Sequence, residues 1–357
     1  MNNQERILVA MSGGVDSSVA AHLLLQQGYD CAGATMRMFS AEEIGIGNHE
    51  ATAINEWSDA ETIAKKLNID FSVIDGTDAF RHCVIDYFIQ TYLMGGTPNP
   101  CVECNRHLKF GKLLEYAKAN GFHKIATGHY ARIKKDANGR FLISSATDPS
   151  KDQTYVLWQL SQDQLAHTIM PLGEYRKEEI REIAEKNGFC NARRRDSQDV
   201  CFIPDGDYVG FIQRLTNASF PVGDFIDLNG NRLGSHQGAI RYTIGQRKGL
   251  GIAFGKPTYV CKKCIQTNTV TLGDNEDLFS HELIAHNINL MATDRFDAPV
   301  RLLAKVRYNA KPAIATVEQI DSDAIRVLFD EPQRAICPGQ SVVLYDGNDL
   351  VGGGIID

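Results

Sequence analysis

Seven consecutive residues near the start of the chain have the composition of a phosphate-binding loop. Ser12-Gly13-Gly14-Val15-Asp16-Ser17-Ser18 follows a short apolar run and precedes a helical pattern. Backbone N–H groups and the dipole at a helix N-terminus favour an anion, and adjacent glycines let the main chain approach phosphate without a Cβ clash. The G-x-x-x-x-G-K-[ST] pattern of P-loop hydrolases is absent, so the loop has no lysine for a γ-phosphate. A turn that only caps the helix would explain the shape of this loop but not its whole seven-residue pattern.

Two pairs of cysteines have C-x-x-C spacing. Cys101 and Cys104 follow two prolines and precede a basic helical pattern, where a helix N-terminus and nearby cations would lower a thiol pKa. A redox pair or half of a zinc site are the alternatives, and Cys261 with Cys264 forms the second pair. The pairs are too far apart for the usual zinc-ribbon spacing, so zinc is the minority interpretation.

Another cysteine, Cys201, follows the run Arg193-Arg194-Arg195 at short distance. These arginines would lower its thiol pKa if they fold toward it, and they would also suit RNA phosphates. A lone cysteine before Phe-Ile is more often a small buried apolar residue. Four further cysteines are interpreted as packing residues: Cys31, Cys83, Cys190 and Cys337. Nine cysteines without a secretion signal indicate reduced thiols and a cytoplasmic protein.

The elements that must position these groups alternate between strands and helices in the first half of the chain. Apolar runs predict strands at 6–11, 31–36, 71–75 and 124–127, and helical periods lie at 17–27, 57–67 and 80–93. This order predicts an α/β fold with a doubly wound parallel sheet. Ligands of such sheets bind beyond the carboxyl ends of the strands, which directs attention to the loops 12–18, 36–40 and 128–132.

The sequence pattern changes after Phe202, where Gly and Pro become more frequent and helical periods fewer. Short strands separated by turn residues then follow from residue 300 to the end, which predicts an antiparallel β-barrel. We therefore expect three domains: a catalytic domain over 1–205, a central linking domain over 206–275 and a C-terminal barrel over 276–357.

Composition limits the class of partner. The chain is 43% hydrophobic and 23% charged, typical of a globular protein, and no apolar run is long enough to span a bilayer. The net charge of −7 argues against a general nucleic-acid binder, yet residues 105–135 and 295–311 are each locally basic. A basic face can steer a polyanion regardless of the total charge, although a solvated helix face would look the same.

Several motifs together carry a resemblance to a known family. The phosphate loop resembles the SGGxDS motif of the ATP pyrophosphatases, which by itself identifies only that superfamily. Five further segments narrow the resemblance from this superfamily to one family. They are TPNPCVECN (97–105), ATGHYAR (126–132), KDQTY (151–155), DSQDVCF (196–202) and TIGQRKGLG (243–251). Over nearly its full length the sequence resembles the tRNA-specific 2-thiouridylases of the MnmA type.

This resemblance implies a reaction. ATP adenylates the C2 oxygen of the wobble uridine with release of pyrophosphate, and a persulfide on Cys201 replaces AMP with sulfur. Cys104 either completes this chemistry as a nucleophile or releases sulfide by closing a disulfide with Cys201. The route is chemically sound because a urea-like carbonyl is a poor electrophile until its oxygen becomes a leaving group. Some relatives have Asp at the position of Cys101, which favours Cys104 as the catalytic residue.

The resemblance also implies cofactors, partners and binding residues. Mg²⁺ would accompany ATP, with no side chain assigned as a metal ligand. The partners would be the anticodon loop of Lys, Glu and Gln tRNAs, its target base flipped out, and a cysteine desulfurase or sulfur-relay protein. The implied ATP-binding residues are Ala10, Met11, Ser12, Gly13, Gly14, Val15, Asp16, Ser17, Met36 and Gly128. The implied tRNA-binding residues are Asn99, Pro100, Cys101, His129, Lys151, Asp152, Gln153, Arg307, Tyr308 and Gln340.

Two other functions would use part of the same sequence. An amide synthetase of the pyrophosphatase superfamily would need the phosphate loop but not Cys104, Cys201 or the barrel. An RNA-binding module with a vestigial loop would bind RNA regardless of ATP and would release no pyrophosphate.

Overall fold

A computed structural model describes residues 5–40, 44, 57–193, 200–252 and 255–357. The chain divides into two compact units. The first contains Met1–Ile85, Cys101–Gly206 and Asn348–Val351, and the second contains Asp86–Pro100, Asp207–Gly347 and Gly352–Asp357. The phosphate loop, Cys104 and Cys201 therefore belong to the first unit. Residues 86–100 belong to the second unit although they lie within the first half of the chain.

The first unit is built on a parallel sheet. Its strands are β1 (Arg6–Ala10), β2 (Asp30–Arg37), β3 (Phe71–Asp75), β4 (Lys124–Ala126) and β7 (Thr168–Ile169), in the order β3-β2-β1-β4-β7. All four neighbouring pairs are parallel. The central strand β1 is a nearly continuous buried run, as expected for a parallel strand covered on both faces. The predicted parallel sheet is confirmed.

Helices and a hairpin complete the first unit. The helices are α1 (Val15–Gln26), α2 (Trp57–Leu67), α3 (Thr77–Phe80), α5 (Pro100–Glu103), α6 (Leu113–Ala119), α7 (Gln162–Ala166) and α8 (Lys177–Lys186). Two π-helical segments, Arg81–Ile85 and Cys104–Lys112, interrupt the regular helices. The hairpin of β5 (Arg132–Lys135) and β6 (Phe141–Ser144) also pairs with Asp349 and Leu350 near the end of the chain. Residues Asn348–Val351 join the first unit through this pairing.

The first part of the second unit combines two helices with a four-stranded sheet. The helices are α4 (Asp86–Leu93) and α9 (Tyr208–Thr216). The strands are β8 (Gly223–Ile226), β9 (Arg232–His236), β10 (Tyr259–Cys264) and β11 (Thr269–Gly273), in the order β10-β11-β8-β9. Their core contains Phe225, Tyr242, Val260 and Val270.

The C-terminal region forms a closed antiparallel barrel. Its strands are β12 (Phe279–Leu290), β13 (Val300–Lys305), β14 (Ala313–Gln319), β15 (Ala324–Arg334), β16 (Ser341–Asp346) and β17 (Asp349–Ile356), in the order β12-β15-β14-β13-β16-β17. Pairing of β12 with β17 closes the barrel. The predicted barrel is confirmed, although the sequence pattern missed β12. A register shift between His286 and Asn289, with Asn287 at φ +51°, interrupts that strand. Among the described residues no helix has the length and apolar character needed to cross a membrane.

Candidate functional site

The phosphate loop lies between β1 and α1, as predicted. Gly13 has φ +75°, a left-handed conformation that glycine adopts without strain, and Gly14 is the N-cap of α1. The Ser17 hydroxyl donates to the Gly14 carbonyl and accepts from the Ser12 N–H, at 3.1 Å in both cases. Because Gly14 has no side chain, no side-chain cap covers the helix N-terminus. This helix end therefore offers its backbone N–H groups to an anion.

A buried lysine that the sequence analysis missed binds the aspartate of this loop. The Nζ atom of Lys177, whose side chain is only 6% exposed, lies 2.8 Å from both carboxylate oxygens of Asp16. The Tyr130 hydroxyl donates to Asp16 Oδ1 at 2.7 Å. Lys177 is the first residue of α8, far from the loop in sequence, so no local pattern signals the pair. The loop thus obtains from another helix the cation that its own sequence lacks.

Gly128 and Met36 lie where the neighbouring strands end. A Cβ atom at Gly128 would lie 2.9 Å from the backbone of Asp16 and Ser17, so only glycine allows this close approach. Met36 is near the end of β2 and packs against Gly76, where a Cβ would lie 2.6 Å from Met36 Cγ. The strands β2, β1 and β4 are adjacent and parallel, so their carboxyl ends form one edge. The structure brings the predicted ATP-binding residues to that edge.

Cys104 is buried at the start of the π-helical segment Cys104–Lys112. Burial raises the pKa of the Cys104 thiol to about 11, and the nearby Lys109 cation only partly offsets this effect. The adjacent Asn105 amide donates to the Val156 carbonyl at 2.9 Å, which anchors this turn. Cys101, by contrast, is exposed. At neutral pH the Cys104 thiol is therefore protonated.

Cys201 is exposed and lies directly before a buried anchor. The Phe202 ring is buried and packs edge-on against Phe80, with 5.5 Å between ring centroids. The predicted residues Arg194, Arg195 and 196–199 lie outside the described residues. All nine cysteines belong to the described residues, and each is a thiol rather than half of a disulfide.

The second C-x-x-C pair is on β10. Cys261 is buried, and burial raises its thiol pKa. Cys264 ends the strand, and its thiol lies 3.3 Å from Gln266 Oε1. Within the described ranges, no group of three or more His, Cys, Asp or Glu side chains is arranged to hold a metal ion.

Predicted tRNA-binding residues of the first unit are largely engaged inside the protein. His129 is buried, its Nδ1 lies 2.9 Å from Thr127 Oγ1, and burial holds its pKa well below the usual range. Asp152 accepts a hydrogen bond from the Ala146 N–H at 2.8 Å, and Gln153 Oε1 accepts one from the Tyr130 N–H at 2.9 Å.

Lys151 is half-buried, like Asp152 and Gln153 beside it. The side chains of Asp152 and Gln153 thus hold main-chain segments, and a direct contact with tRNA stays a prediction for His129 and for residues 151–153.

In the second unit, the predicted tRNA-binding residue Gln340 holds the segment that precedes two other predicted residues, Asn99 and Pro100. Gln340 Nε2 donates to the carbonyl oxygens of Thr97 at 3.0 Å and Pro98 at 3.2 Å. Lys263 Nζ lies 3.4 Å from the Gly96 carbonyl, and burial lowers its pKa to about 8. Three consecutive carbonyl groups are therefore fixed just before Asn99 and Pro100.

Arg307 and Tyr308 have different surroundings. The Arg307 guanidinium donates to the Ile244 carbonyl at 3.2 Å and lies 2.8 Å from Cys337 Sγ, so it is used inside the second unit. Tyr308 is 40% exposed, with Lys305 Nζ 5.5 Å from its ring centroid.

Two other arginines of the basic stretch 295–311 form ion pairs with aspartates. Arg295 pairs with Asp297, and Arg301 forms a two-pronged pair with Asp330 at 2.8 and 2.5 Å. The local charge counted along the sequence therefore overstates the charge that this stretch offers to RNA.

Family models match three consecutive parts of the chain. These are the tRNA methyl transferase HUP domain over residues 5–205, the tRNA methyl transferase PRC-barrel domain over 210–274 and the aminomethyltransferase beta-barrel domain over 280–356. Among solved structures, the U34-tRNA thiolase NcsA from Methanococcus maripaludis is 14% identical, with a TM-score of 0.35, over 60% of this chain and 72% of that one.

Curated relatives match the chain from end to end. The tRNA-specific 2-thiouridylase MnmA of Clostridioides difficile (strain 630) is 47% identical over 99% of this chain and 98% of its own length. The MnmA of Clostridium kluyveri is 48% identical over 99% of both chains. This similarity confirms the resemblance carried by the sequence motifs. The chain belongs to the family of tRNA-specific 2-thiouridylases.

Proposed function

We propose that this protein thiolates the wobble uridine of tRNA in an ATP-dependent reaction. The observation that carries the proposal is the full-length match to tRNA-specific 2-thiouridylases. The open phosphate loop and the presence of Cys104 and Cys201 in one compact unit support it. The activity is that of a tRNA sulfurtransferase, and the substrates are the anticodon loops of the Lys, Glu and Gln isoacceptors. We place the protein in the cytoplasm.

The first step is adenylation of the uridine C2 oxygen. This oxygen attacks the α-phosphorus of ATP, and pyrophosphate leaves. The N–H groups at the start of α1 bind the β,γ-phosphates, and Lys177 offsets the negative charge of Asp16 next to them. The partly exposed Asp16 carboxylate has the oxygen ligands that Mg²⁺ prefers. Bound Mg²⁺ would neutralise phosphate charge.

The second step transfers sulfur and expels AMP. Cys201 is exposed, so a protein donor such as a cysteine desulfurase or a sulfur-relay protein can load it with a persulfide. The terminal sulfur attacks C2, the C2–O bond to AMP breaks, and uridine is then joined to Cys201 through a disulfide. The Cys104 sulfur then attacks Cys201 Sγ, and its proton passes to the departing 2-thiouridine anion. This releases 2-thiouridine and leaves a Cys104–Cys201 disulfide.

The alternative order gives the same products. Cys104 attacks Cys201 Sγ first, and the hydrogen sulfide ion released then attacks C2. Either order leaves the enzyme oxidised by two electrons, so a cellular dithiol must reduce the disulfide before the next turnover.

The test is reconstitution with unmodified tRNA, ATP, Mg²⁺, a cysteine desulfurase and cysteine. We expect mass spectrometry of the digested tRNA to detect 2-thiouridine with the wild-type protein and none with Cys104→Ser or Cys201→Ser. Two matched controls should keep activity: Cys190→Ser, an exposed thiol of the same unit, and Cys31→Ser, whose pKa burial also raises to about 11.

Two outcomes would overturn the proposal. Full activity of the double variant Cys104→Ser, Cys201→Ser, with pyrophosphate released on a small substrate, would favour an amide synthetase. RNA binding that is indifferent to ATP, without pyrophosphate release, would favour a non-catalytic RNA-binding module.

A further inference from the structure

Asn191 is a buried amide that contacts the phosphate loop from a distant part of the chain. It lies in the turn after α8 and is 3% exposed. Its Nδ2 donates to the Gly13 carbonyl and to the Ser18 hydroxyl, at 2.9 Å in both cases. No motif of the sequence analysis includes this residue. Because the Gly13 carbonyl can only accept, the amide nitrogen must face the loop.

The bond to Gly13 fixes the direction of a peptide group in the loop. In a trans peptide the C=O and the following N–H point to opposite sides. Asn191 holds the Gly13 carbonyl on its own side and so turns the Gly14 N–H to the other side, where it donates a long hydrogen bond to the Ser12 hydroxyl at 3.4 Å. The Ser18 hydroxyl, its second partner, donates to the Gly14 carbonyl at 3.1 Å. Asn191 thus controls the peptide groups on both sides of Gly14, the N-cap of α1.

The oxygen of the same amide supports a role in positioning rather than in stability. Asn191 Oδ1 is buried and has no hydrogen-bond partner within the part of the chain that the structure describes. Leaving a buried acceptor unpaired is unfavourable for folding. A smaller apolar residue would avoid this cost but would lose both donor bonds to the loop.

Residues at both ends of α8 bind the phosphate loop. Lys177 at the start of α8 binds Asp16, and Asn191 after the end of α8 binds Gly13 and Ser18.

We propose that Asn191 is a positioning residue that aims the Gly14 N–H at the phosphates of ATP. The inference rests on the proposed function because it assigns ATP to this loop. ATP that binds against Gly14 restrains the same peptide groups that Asn191 holds.

The first experiment measures ATP affinity by calorimetry and KM and kcat by tRNA-dependent pyrophosphate release. We expect Asn191→Ala to raise Kd and KM for ATP about tenfold, equivalent to ~1.4 kcal/mol, and to change kcat less. Asn191→Asp should raise both further because it places a carboxylate against the Gly13 carbonyl and near phosphate. Asn187→Ala is the matched control, since its amide donates to the Ile183 carbonyl of α8, at 2.8 Å, rather than to the phosphate loop.

The second experiment repeats these measurements on Asn191→Ser, which keeps a hydroxyl donor. This variant should recover part of the ATP affinity that Asn191→Ala loses, and it replaces Asn191→Ala if that variant does not fold.

The outcomes separate this inference from the proposed function. Unchanged ATP affinity in Asn191→Ala and Asn191→Asp would overturn the positioning role. Failure of the wild-type protein to make 2-thiouridine while it binds ATP would instead count against the proposed function alone.

Discussion

The segments that carry Cys104 and Cys201 differ in burial and in the way each is anchored. Cys104 is buried within a helical segment, and burial raises its pKa to about 11. Cys201 is exposed, and its anchor is the neighbouring Phe202. Both segments belong to the same compact unit. Two cysteines proposed for one reaction thus have different surroundings.

This difference suggests a division of labour. A thiol that receives sulfur from another protein must be exposed, because the donor's own cysteine has to reach it. A thiol that acts only after the substrate is in place is better kept protonated and covered, because an exposed thiolate would react with oxidants and stray electrophiles. The burial of Cys104 and the exposure of Cys201 fit these two requirements.

The largest expected effect is in chemical reactivity. At pH 8 roughly one Cys104 thiol in 10³ is ionised, because each pH unit below the pKa lowers the thiolate fraction tenfold. Iodoacetamide should therefore alkylate Cys201 at least ~10²-fold faster than Cys104. Raising the pH from 8 to 10 should increase the Cys104 rate about 100-fold, because the thiolate fraction rises with pH up to the pKa.

Peptide mass spectrometry of the alkylated protein measures both rates. Cys31 should resemble Cys104, since burial raises its pKa to about 11 as well. Similar rates for Cys104 and Cys201 in the absence of tRNA would contradict the proposed division of labour.

The anchor of Cys201 can be removed by Phe202→Ala. The ring is fully buried, and such a truncation costs about 3–5 kcal/mol in folding free energy. We expect a loss of this size in chemical denaturation and a lower thiolation rate at temperatures where the variant is folded. Val73→Ala, at a half-exposed position of β3, is the control and should cost less than about 1 kcal/mol. Equal stability of the two variants would rule out Phe202 as an anchor.

The positive charge near Cys104 can be removed by Lys109→Met. The Lys109 cation lowers the pKa of the Cys104 thiol, so its loss should raise that pKa further. Alkylation of Cys104 at pH 9 should fall by about threefold, which corresponds to roughly half a pKa unit. Lys112→Met, on the same π-helical segment, should leave the rate unchanged. Faster alkylation of Cys104 in Lys109→Met would show that the Lys109 side chain acts mainly by covering the Cys104 thiol and not through its charge.

The smallest expected effect concerns the segment before Cys101. Gln340→Leu removes the donor to the Thr97 and Pro98 carbonyls, which other contacts such as that of Lys263 with Gly96 still restrain. We expect KM for tRNA to rise about threefold, the size of a hydrogen bond worth less than ~1 kcal/mol. Gln333→Leu, which removes a donor to the nearby Glu331 carbonyl, is the control. A loss of kcat without a change in KM would place the role of Gln340 after tRNA binding.

The amino-acid sequence by itself determined the local elements. The buried run of β1, the glycines before α1 and the short strands after residue 300 predicted the parallel sheet, the phosphate loop and the barrel. These features follow from periodicity and turn chemistry, which act over a few residues. The π-helical segments and β12 were missed because their patterns depart from regular helical and strand periods.

Only the tertiary structure decided which side chains meet. Lys177 binds Asp16 across 161 positions of sequence, and Asn191 binds Gly13 across 178. The burial of Cys104 and the inward use of Arg307 are likewise set by elements distant in the chain. A side chain's partners and its pKa depend on which distant segments pack around it, and that arrangement forms only when the whole core folds.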